Sequence, residues 1–260
     1  MKLFRRNIFP LIFACLLLAV PSCRHASSQT ARIEQNDGRE WTRDIDLPVT
    51  PADRSEQILY RKAYVVSYNK ETRQPNWVAW KLTAEHTQGD VQRPATAWHE
   101  DYEVPEPRIY YSDYKHTNWD RGHMCPAGDN KWDKTAMYES FLLSNACPQN
   151  KTLNSGIWNQ IEMKCREWAR KYGEVQIVCG PIFMNCEHDT IGENRLPVPE
   201  AFFKVVLIPV NGELYGTGFI CRNNEGNKKK DLYHNSIPEV ERITGIKFFP
   251  NSVDIKDFDY

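Results

Sequence analysis

The stretch "NWDRGHMCPAGDN", residues 118–130, concentrates polar chemistry in a turn-prone part of the chain. A carboxylate, a guanidinium, a glycine and an imidazole occupy the four consecutive positions from Asp120 to His123. Pro126 and Gly128 follow closely, so the run is typical of neither a regular helix nor a clean strand. Two interpretations are open at this point. The run is either a surface loop with a hydrogen-bonded aspartate, or a loop that performs chemistry on a phosphate.

The N-terminal residues predict an export signal. Three basic residues precede an apolar run at 8–20, the pattern of a secretory signal that is too short to span a bilayer comfortably. The ending "LAVPSC" resembles a lipoprotein processing site, with Ser22 where alanine or glycine is usual. We therefore expect a lipoprotein-type signal peptide at residues 1–22 and a lipid anchor to the membrane on Cys23. The expected location is the bacterial cell envelope, in the outer membrane or periplasm, or outside the cell.

The remaining chain predicts a tether followed by one domain. Residues 23–46 are polar and poor in aliphatic side chains, as in a flexible linker, and residues 47–260 are long enough for a single domain with a substantial core. Without the three basic residues of the signal, 30 basic residues face 34 acidic ones, a net charge of about −4. An acidic protein does not attract a polyanion through its overall field, so any nucleic-acid site must be a local basic cleft.

The cysteine count predicts disulfides. Six cysteines remain when Cys15 in the signal and Cys23 at the processing site are set aside, and an even number in an exported chain is typical of disulfide pairing. Fifteen complete pairings are possible, and the spacing does not choose among them. No C-x2-C pair is present, which disfavours a zinc site. The six are Cys125, Cys147, Cys165, Cys179, Cys186 and Cys221.

The pattern of strands and helices predicts an α+β fold. Two β-rich runs at 63–68 and 77–83 flank a polar turn and predict a hairpin. Three further strands are predicted at "EVQIVCG", "FFKVVLIPV" and "LYGTGFICR", the last two joined by an Asn-Gly turn at 211–212. A helix is predicted over 156–172, and a capping box in "SIPEVERITG" predicts a last, short helix. Strands outnumber helices and do not alternate with them, which favours α+β.

Taken singly, the polar residues of the chain have structural explanations. A histidine in a loop, such as His123, is usually a surface or hydrogen-bonded residue. Asn154 precedes the long predicted helix, where asparagine is a favoured N-cap. Glu162 and Arg166 have the i,i+4 spacing of a helix ion pair, worth only ~0.2–0.5 kcal/mol on a solvated face.

Taken together, these residue types supply the parts that phosphodiester hydrolysis needs. A neutral imidazole can accept a proton from water near neutral pH. A hard divalent cation needs oxygen ligands and keeps most of its waters, so one amide oxygen can suffice as the protein ligand. Guanidinium groups stabilise charge on phosphate oxygens through forked hydrogen bonds. A carboxylate one or two helical turns from the ligand can orient the waters around the ion.

Two segments carry a resemblance to a known family. Asp120–His123, followed by "FLLSNACPQNKTLNSGIWNQIE" at 141–162, resembles the DNA/RNA non-specific endonuclease family, the ββα-metal nucleases. The similarity extends over about 47–250. It implies a ββα-metal nuclease fold, in which a mainly antiparallel central sheet is flanked by helices. It also implies a metal-dependent, sugar-non-specific endonuclease that hydrolyses DNA, RNA or both and leaves 5′-phosphate ends.

The resemblance assigns the central chemical roles. It implies that His123 is the general base that activates water, and that Asn154 is the direct ligand of Mg²⁺, with Mn²⁺ able to take its place. It implies that Glu162 holds water molecules around the ion. Gly122 is expected to let the backbone pass close to the scissile bond.

The resemblance also assigns supporting roles. Arg121 and Arg166 fall on positions tied to the phosphate and the active-site network, and Asn145 on a position that stabilises the catalytic centre. Arg93 and Asp120 are placed on the substrate side of the site. Arg93 is expected to contact the phosphate, whereas Asp120 is expected to orient the loop.

Two departures from the family pattern and two rival functions remain. Cys147 stands where alanine is usual and Cys125 follows the base by two residues, so we expect a disulfide to brace the active-site segment. One rival function makes Cys125 a thiol nucleophile with His123 as its base. The other is a lipid-anchored nucleic-acid-binding protein without turnover. The preference for DNA or RNA and the oligomeric state stay open.

Overall fold

A computed structural model of the chain describes Thr42 and residues 44–184, 187–224 and 233–259. The predicted signal peptide at 1–22 and the predicted lipid anchor on Cys23 lie outside these ranges. In the described part, Thr42 and Ile45 are already buried, and the carboxylate of Asp46 accepts a hydrogen bond from Ser252. Within the described ranges, no helix combines the length and the apolar character needed to cross a bilayer.

The described strands form one large sheet and two small ribbons. The large sheet has the order β1-β2-β3-β6-β9-β10-β11 with β12 beside β10, and its pairs are antiparallel except β10–β12. The ribbons are β4–β5 and β7–β8. The strands are β1 (Gln57–Tyr60), β2 (Val65–Asn69), β3 (Gln74–Thr83), β4 (Trp119–His123), β5 (Ala146–Asn150), β6 (Glu174–Ile182), β7 (Thr190–Ile191), β8 (Leu196–Pro197), β9 (Ala201–Val210), β10 (Glu213–Arg222), β11 (His234–Asn235) and β12 (Lys256–Asp257).

The predicted hairpins are confirmed. Strands β2 and β3 pair antiparallel around the polar turn, with Val65 opposite Ala79. Strands β9 and β10 are joined by the Asn-Gly turn, in which Asn211 and Gly212 have φ of 52° and 84°. Positive φ at both central residues is what a two-residue type I′ hairpin requires, and this explains the choice of these two residues.

The helices lie on either side of the large sheet. The described helices are α1 (Lys134–Ser140), α2 (Lys151–Leu153), α3 (Asn159–Tyr172) and α4 (Ile237–Thr244). Helices α2 and α3 are joined by a wide, kinked turn, Asn154–Trp158, in which Gly156 has non-helical φ and ψ of −95° and −114°. The helix predicted over 156–172 is therefore regular from Asn159 onward. Gly173, with φ of 95°, ends α3 as predicted. The predicted capping box of α4 is present, with Ser236 and Glu239 bonded to each other's backbone.

The large sheet is buried on both faces, so its strands read as nearly continuous apolar runs. Along β3, Trp80 packs into a cluster with Trp158 and Trp168 of the α3 side, whereas Ala79 packs into a cluster with Val240 of α4. The fold is therefore a helix–sheet–helix arrangement. The predicted α+β class, with a mainly antiparallel central sheet flanked by helices, is confirmed.

The predicted disulfides are wrong for the cysteines that the structure describes. Five cysteines carry free thiols, and all five lie in the apolar cluster on the α3 side: Cys125, Cys147, Cys165, Cys179 and Cys221. The sixth, Cys186, lies outside the described residues. Burial raises the pKa of the Cys179 thiol to about 11 and that of Cys165 to about 12. The prediction from the cysteine count failed because buried free cysteines behave as small apolar side chains. The number of cysteines does not distinguish such residues from disulfide partners.

Candidate active site

The run from Asp120 to His123 lies in a strand, contrary to the expectation that it forms no clean strand. Strand β4 pairs antiparallel with β5, with Asp120 opposite Gln149 and His123 opposite Ala146. The partner strand follows more than twenty residues later, so local sequence could not show this pairing. A two-stranded ribbon, rather than a loop, therefore carries the polar residues.

Gly122 is required for packing within this ribbon. A Cβ atom on Gly122 would lie 2.2 Å from Oε1 and 2.5 Å from Cβ of Gln149 on β5. Gly122 is buried, and it is not among the residues that line the cleft described below. The expectation that this glycine lets the backbone approach the scissile bond stays a prediction, and the structure gives the glycine a packing role. Gly122 lets the side chain of Gln149 cross the ribbon.

A cleft of about 300 Å³ opens over the end of the ribbon. Five of the eight predicted site residues line it, and two tryptophans complete the wall. The lining residues are Arg93, Trp98, Trp119, Asp120, Arg121, His123 and Asn154. The other three predicted residues, Asn145, Glu162 and Arg166, do not line this cleft in the described structure. The cleft combines two guanidinium groups with one carboxylate, so it is the local basic cleft that an acidic chain needs to bind a polyanion.

The imidazole of His123 is held in an aromatic slot. Its ring centroid lies 4.4 Å from that of Trp98 and 4.9 Å from that of Phe141, which meets it edge to face. Its Nε2 is buried and has no hydrogen-bond partner in the described part of the chain. Burial lowers the pKa of His123 to about 3, assisted by the positive charge of Arg93. The ring is therefore neutral at neutral pH, with a nitrogen free to accept a proton.

Asn145 braces the segment that follows His123. Its Oδ1 accepts a hydrogen bond from the backbone N–H of Cys125 at 2.9 Å, and its Nδ2 donates to the carbonyls of Cys125 and Ser140, each at 2.8 Å. Its own carbonyl accepts from the N–H of Met124 at 2.9 Å. Asn145 is fully buried and acts on the backbone alone. This amide provides the brace that a disulfide was expected to provide.

Asn154 lies in the wide turn between α2 and α3 and does not cap the helix. Asn150 is the N-cap of the preceding helix α2, where its side chain accepts from the N–H groups of Thr152 and Leu153, and no side chain caps α3. Nδ2 of Asn154 donates instead to Oδ2 of Asp120 at 3.0 Å. An ionised carboxylate only accepts hydrogen bonds, so Asp120 fixes which way the Asn154 amide is turned. The Nδ2 group of Asn154 faces Asp120, and its Oδ1 is left free.

The oxygen atoms of Asn154 and Asp120 fit a hard divalent cation. Mg²⁺ prefers oxygen ligands, keeps several waters and needs few protein groups. Among the described residues, no group of three or more histidine, cysteine or acidic side chains forms an alternative metal site. The donor set therefore suits Mg²⁺ or Mn²⁺ better than a soft metal such as zinc.

Aromatic faces hold the two arginines of the cleft. The guanidinium carbon of Arg121 lies 4.3 Å from the ring centroid of Tyr111 and 5.2 Å from that of Tyr114. Its Nε is buried and has no hydrogen-bond partner among the described residues. The guanidinium carbon of Arg93 lies 4.8 Å from the ring centroid of Phe141. Arginines held by ring faces keep their N–H groups available for an anion.

Glu162 and Arg166 are partly buried members of a charged group beside the cleft. Nη1 of Arg166 donates to Oδ1 of Asp129 at 2.7 Å, so Arg166 does not form the solvated i,i+4 pair with Glu162 that the spacing favoured. Burial raises the pKa of Glu162 to about 7; Lys204 and Arg166 lower it and Asp129 raises it. Glu162 is therefore balanced between its charged and neutral forms near neutral pH.

Sequence reasoning missed the residues that hold the predicted ones in place. Trp98 and Phe141 enclose His123, Tyr111 supports Arg121, and Asp129 binds Arg166. All four are distant in the chain from the residue they support. The available signal was the presence of Trp98 and Tyr111 in the polar segment 84–118, which contains no predicted helix or strand, since aromatic side chains in a polar segment need a packing partner.

The neutral His123 predicts acid-dependent stability of the metal-free protein. A histidine in the unfolded chain takes up a proton near pH 6.5, whereas folded His123 does so only near pH 3. The unfolded state therefore binds more protons between these values, and the free energy of unfolding falls as the pH is lowered through this window. Each pKa unit of difference corresponds to ~1.4 kcal/mol. Urea unfolding in EDTA at several pH values measures the effect.

Variants separate this contribution from other titrating groups. His123→Phe fills the aromatic slot without a titrating nitrogen, so its stability should fall less between pH 6.5 and 4. Glu162 has the opposite sign, because its folded pKa of about 7 exceeds the ordinary 4.5 and its contribution is lost as the pH rises. Glu162→Gln should therefore remove the loss of stability that this group causes as the pH rises from about 4.5 to 7. Equal acid sensitivity of the wild type and His123→Phe would contradict a buried, neutral histidine.

The chain is similar to known proteins over most of its length. Residues 42–255 match the model of a family described as DNA/RNA non-specific endonuclease. The chain is 34% identical to the mitochondrial nuclease EXOG of Danio rerio over 215 residues, which cover 77% of this chain and 62% of that protein. It is 32% identical to mitochondrial endonuclease G of Bos taurus over 208 residues, covering 75% of this chain and 70% of that one. The chain thus spans less than two thirds of the zebrafish protein.

A solved structure shares the fold. The crystal structure of an EndoG/EndoGI complex, described as showing the mechanism of EndoG inhibition, contains a chain that matches with a TM-score of 0.73 and 27% sequence identity. The match covers 76% of this chain and 87% of that chain. The large antiparallel sheet and its flanking helices are therefore common to both.

Proposed function

Since the chain belongs to the DNA/RNA non-specific endonuclease family, we propose that it is a metal-dependent endonuclease that hydrolyses phosphodiester bonds of DNA, RNA or both. The observation that supports this most strongly is the content of one cleft. A neutral imidazole, an oriented amide oxygen and two guanidinium groups open onto the same space. Each of these groups meets one requirement of phosphodiester hydrolysis.

The arginines would bind the substrate. Arg121 and Arg93 present N–H groups to the phosphate and offset the charge that develops on its oxygens. Their aromatic supports reduce the conformational freedom lost when substrate binds, because each guanidinium is already held in place. Trp98 and Trp119 line the same cleft and offer flat faces to sugar or base.

His123 would accept the proton of the attacking water at a free ring nitrogen. In the free protein its pKa is low, so the ring is neutral but weakly basic. A phosphate bound beside Arg93 offsets the positive charge that helps to depress this pKa, so the basicity of His123 rises as substrate binds. Asn145 keeps the ribbon in place during the transfer, and hydrolysis would leave 5′-phosphate ends, as the family resemblance implies.

Asn154 would hold the cation, with Asp120 fixing the amide and Glu162 orienting water molecules around the ion. When bound, Mg²⁺ or Mn²⁺ supplies Lewis-acid stabilisation of negative charge on the phosphate and the leaving oxygen. The thiol-nucleophile alternative has no support from the structure. Cys125 is fully buried, and burial raises the pKa of its thiol well above the ordinary value. The export signal predicted for residues 1–22 would place the nuclease in the cell envelope or outside the cell.

A substrate panel tests the proposal directly. Purified protein should cut plasmid DNA, single-stranded DNA and RNA in Mg²⁺, and EDTA should abolish cutting. His123→Ala, expressed and purified in parallel, controls for contaminating nucleases. If the protein shifts nucleic acid in gels but cuts no substrate in Mg²⁺ or Mn²⁺, the result would support the alternative of a nucleic-acid-binding protein without turnover. Cutting that persists in EDTA would contradict the role of the metal.

A further inference from the structure

The side chain of Asn223 joins the β4–β5 ribbon to the large sheet. Asn223 directly follows β10 and is 4% exposed. Its Oδ1 accepts a hydrogen bond from the backbone N–H of Asn150 at 2.8 Å, and its Nδ2 donates to the carbonyls of Pro148 at 2.9 Å and Pro199 at 2.8 Å. One amide group therefore bonds two segments that are remote from it in sequence.

Two of these hydrogen bonds complete the open edge of β5. In the described structure β5 pairs with β4 alone, so the backbone groups along its other edge have no strand partner. Residues two apart in a strand direct their backbone groups to the same edge, and Pro148 and Asn150 have this spacing. The side-chain amide of asparagine offers a donor and an acceptor, as a peptide group does. Asn223 therefore takes the place of a neighbouring strand at the end of β5.

Further hydrogen bonds fix Asn223 to the large sheet. Pro199 and Glu200 lie just before β9, and the N–H of Asn223 donates to the carbonyl of Glu200 at 2.8 Å. The N–H of Glu200 in turn donates to the carbonyl of Ile182, the last residue of β6, at 3.1 Å. Strands β6, β9 and β10 are neighbours in the sheet. One edge of three adjacent strands therefore holds Asn223, and Asn223 holds the end of the ribbon.

This end of the ribbon is one helical turn away from Asn154. The side chain of Asn150 accepts from two backbone N–H groups of α2 and so starts that three-residue helix. The N–H of Asn154 donates to the carbonyl of Lys151 at the end of the same turn. A helix this short has little stability of its own, because its first turn orders several residues for one hydrogen bond. Its position therefore depends on how its ends are held, and Asn223 holds the first of them.

We propose that Asn223 is a positioning residue of the active site, which places the backbone that presents Asn154 to the cation. The inference rests on the proposed function, because Asn154 matters here as the metal ligand. Asp120 fixes which way the Asn154 amide is turned, whereas Asn223 fixes where the helix that carries this amide begins. The two residues therefore control different properties of the same ligand.

Removal of the Asn223 amide would loosen the start of α2. The N–H of Asn150 and the carbonyl of Pro148 would lose their partner and turn towards water, because buried backbone groups need hydrogen bonds. The turn that carries Asn154 would then be less ordered before the cation binds. Binding would have to restore that order, so affinity for the cation would fall.

Asn223→Ala tests the inference through metal binding. Affinity for Mn²⁺, measured by calorimetric titration, should fall about 10–100-fold, the loss typical when a group that orients a metal ligand is removed. Turnover below saturating Mg²⁺ should fall with it. Saturating Mg²⁺ should restore most of the rate, because His123 lies at the other end of the ribbon. Unchanged Mn²⁺ affinity in folded Asn223→Ala, or a rate loss that saturating Mg²⁺ does not restore, would overturn the inference.

Asn76→Ala is the matched control for the loss of a buried amide. Asn76 on β3 is 7% exposed, and its side chain also makes three hydrogen bonds. Its Nδ2 donates to the carbonyl of Ser55 at 2.9 Å and to Oγ of Ser67 at 3.0 Å, and its Oδ1 accepts from Asn69 at 3.1 Å. Asn76→Ala should lose stability in urea but keep normal Mn²⁺ affinity and turnover. An equal loss of Mn²⁺ affinity in Asn76→Ala would overturn the inference, because Asn223 would then act through stability alone.

Hydrogen exchange followed by NMR in EDTA tests the inference without metal or substrate. The N–H groups of Asn150 and Leu153 should exchange faster in Asn223→Ala than in the wild type, and Asn76→Ala should not share this local effect. Equal exchange at both N–H groups in the wild type and Asn223→Ala would overturn the inference. A wild type that neither binds Mg²⁺ nor cuts nucleic acid would refute the nuclease proposal, and this comparison would still show whether Asn223 orders the turn.

The wild type alone provides a test if Asn223→Ala does not fold. A cation that prefers the ordered turn must stabilise it in return, because the coupling between two equilibria is reciprocal. Mg²⁺ should therefore slow exchange of the Asn150 N–H, which bonds Asn223 and lies outside the cleft. Unchanged exchange at Asn150 in a wild type that calorimetry shows to bind Mg²⁺ would overturn the inference.

Discussion

His123→Ala is expected to reduce turnover by about two to four orders of magnitude, the usual contribution of a general base. The imidazole is the one neutral base that lines the cleft in the described structure, and its Nε2 is free of protein partners. Affinity for nucleic acid should change little, because the arginines and the metal hold the phosphate. Single-turnover cleavage and gel shifts in Ca²⁺ measure the two quantities separately.

Rescue and a matched control sharpen this test. The slot between Trp98 and Phe141 remains when His123 is truncated, so added imidazole should restore part of the rate by binding there. His234→Ala, which removes an exposed histidine on β11, should be fully active. Near-normal turnover of His123→Ala in saturating Mg²⁺ would show that the ribbon is structural and that the mechanism is wrong.

Asn154→Ala is expected to remove most metal-dependent activity. The loss should exceed the ~10–100-fold typical of residues that only orient metal ligands, because the substitution removes the ligand itself. Stability should change little, since alanine has a higher helix propensity than asparagine and compensates for the lost bond to Asp120. Calorimetric titration with Mg²⁺ or Mn²⁺ should show weakened binding in the same variant.

Two further variants distinguish a ligand from a helix residue. Asp120→Asn keeps Asn154 as the metal ligand but allows the Asn154 amide group to flip. The loss of metal affinity in Asp120→Asn should therefore be smaller than in Asn154→Ala. Asn159→Ala, which replaces an exposed asparagine at the start of α3, should bind metal and cut DNA normally. Unchanged metal binding by Asn154→Ala would place the cation elsewhere.

Local patterns predicted the elements of the fold well. The turn at Asn211-Gly212, the helix end at Gly173 and the capping box at Ser236 depend on neighbouring residues alone, and all three are confirmed. The strand that carries His123 was missed because its pairing partner is remote in sequence and its own residues have no apolar alternation. Turn signals at Pro126 and Gly128 concealed it further.

The site residues were predicted from chemistry and resemblance, but their environments were not. Asn154 was expected to cap a helix if it were structural, and only the structure shows Asn150 in that role. Lys204 lies in "FFKVVL", where a lysine in a strand is normally at the surface, and two sheet neighbours and a helix are needed to bury it. Burial, charge pairing and pKa depend on contacts between distant elements, which a single sequence does not specify.

The amide brace of Asn145 has a consequence for how the protein can be made. The side chain of Asn145 fixes the segment after His123 by two hydrogen bonds to Cys125 and ties it to the end of α1 by a third, to Ser140. The five described cysteines are free thiols. The described fold therefore draws no cross-linking energy from an oxidising environment, and it should assemble equally well in a reducing cytosol. Dithiothreitol should leave the melting temperature unchanged, so the protein can be expressed without periplasmic export and assayed in buffers that protect its thiols.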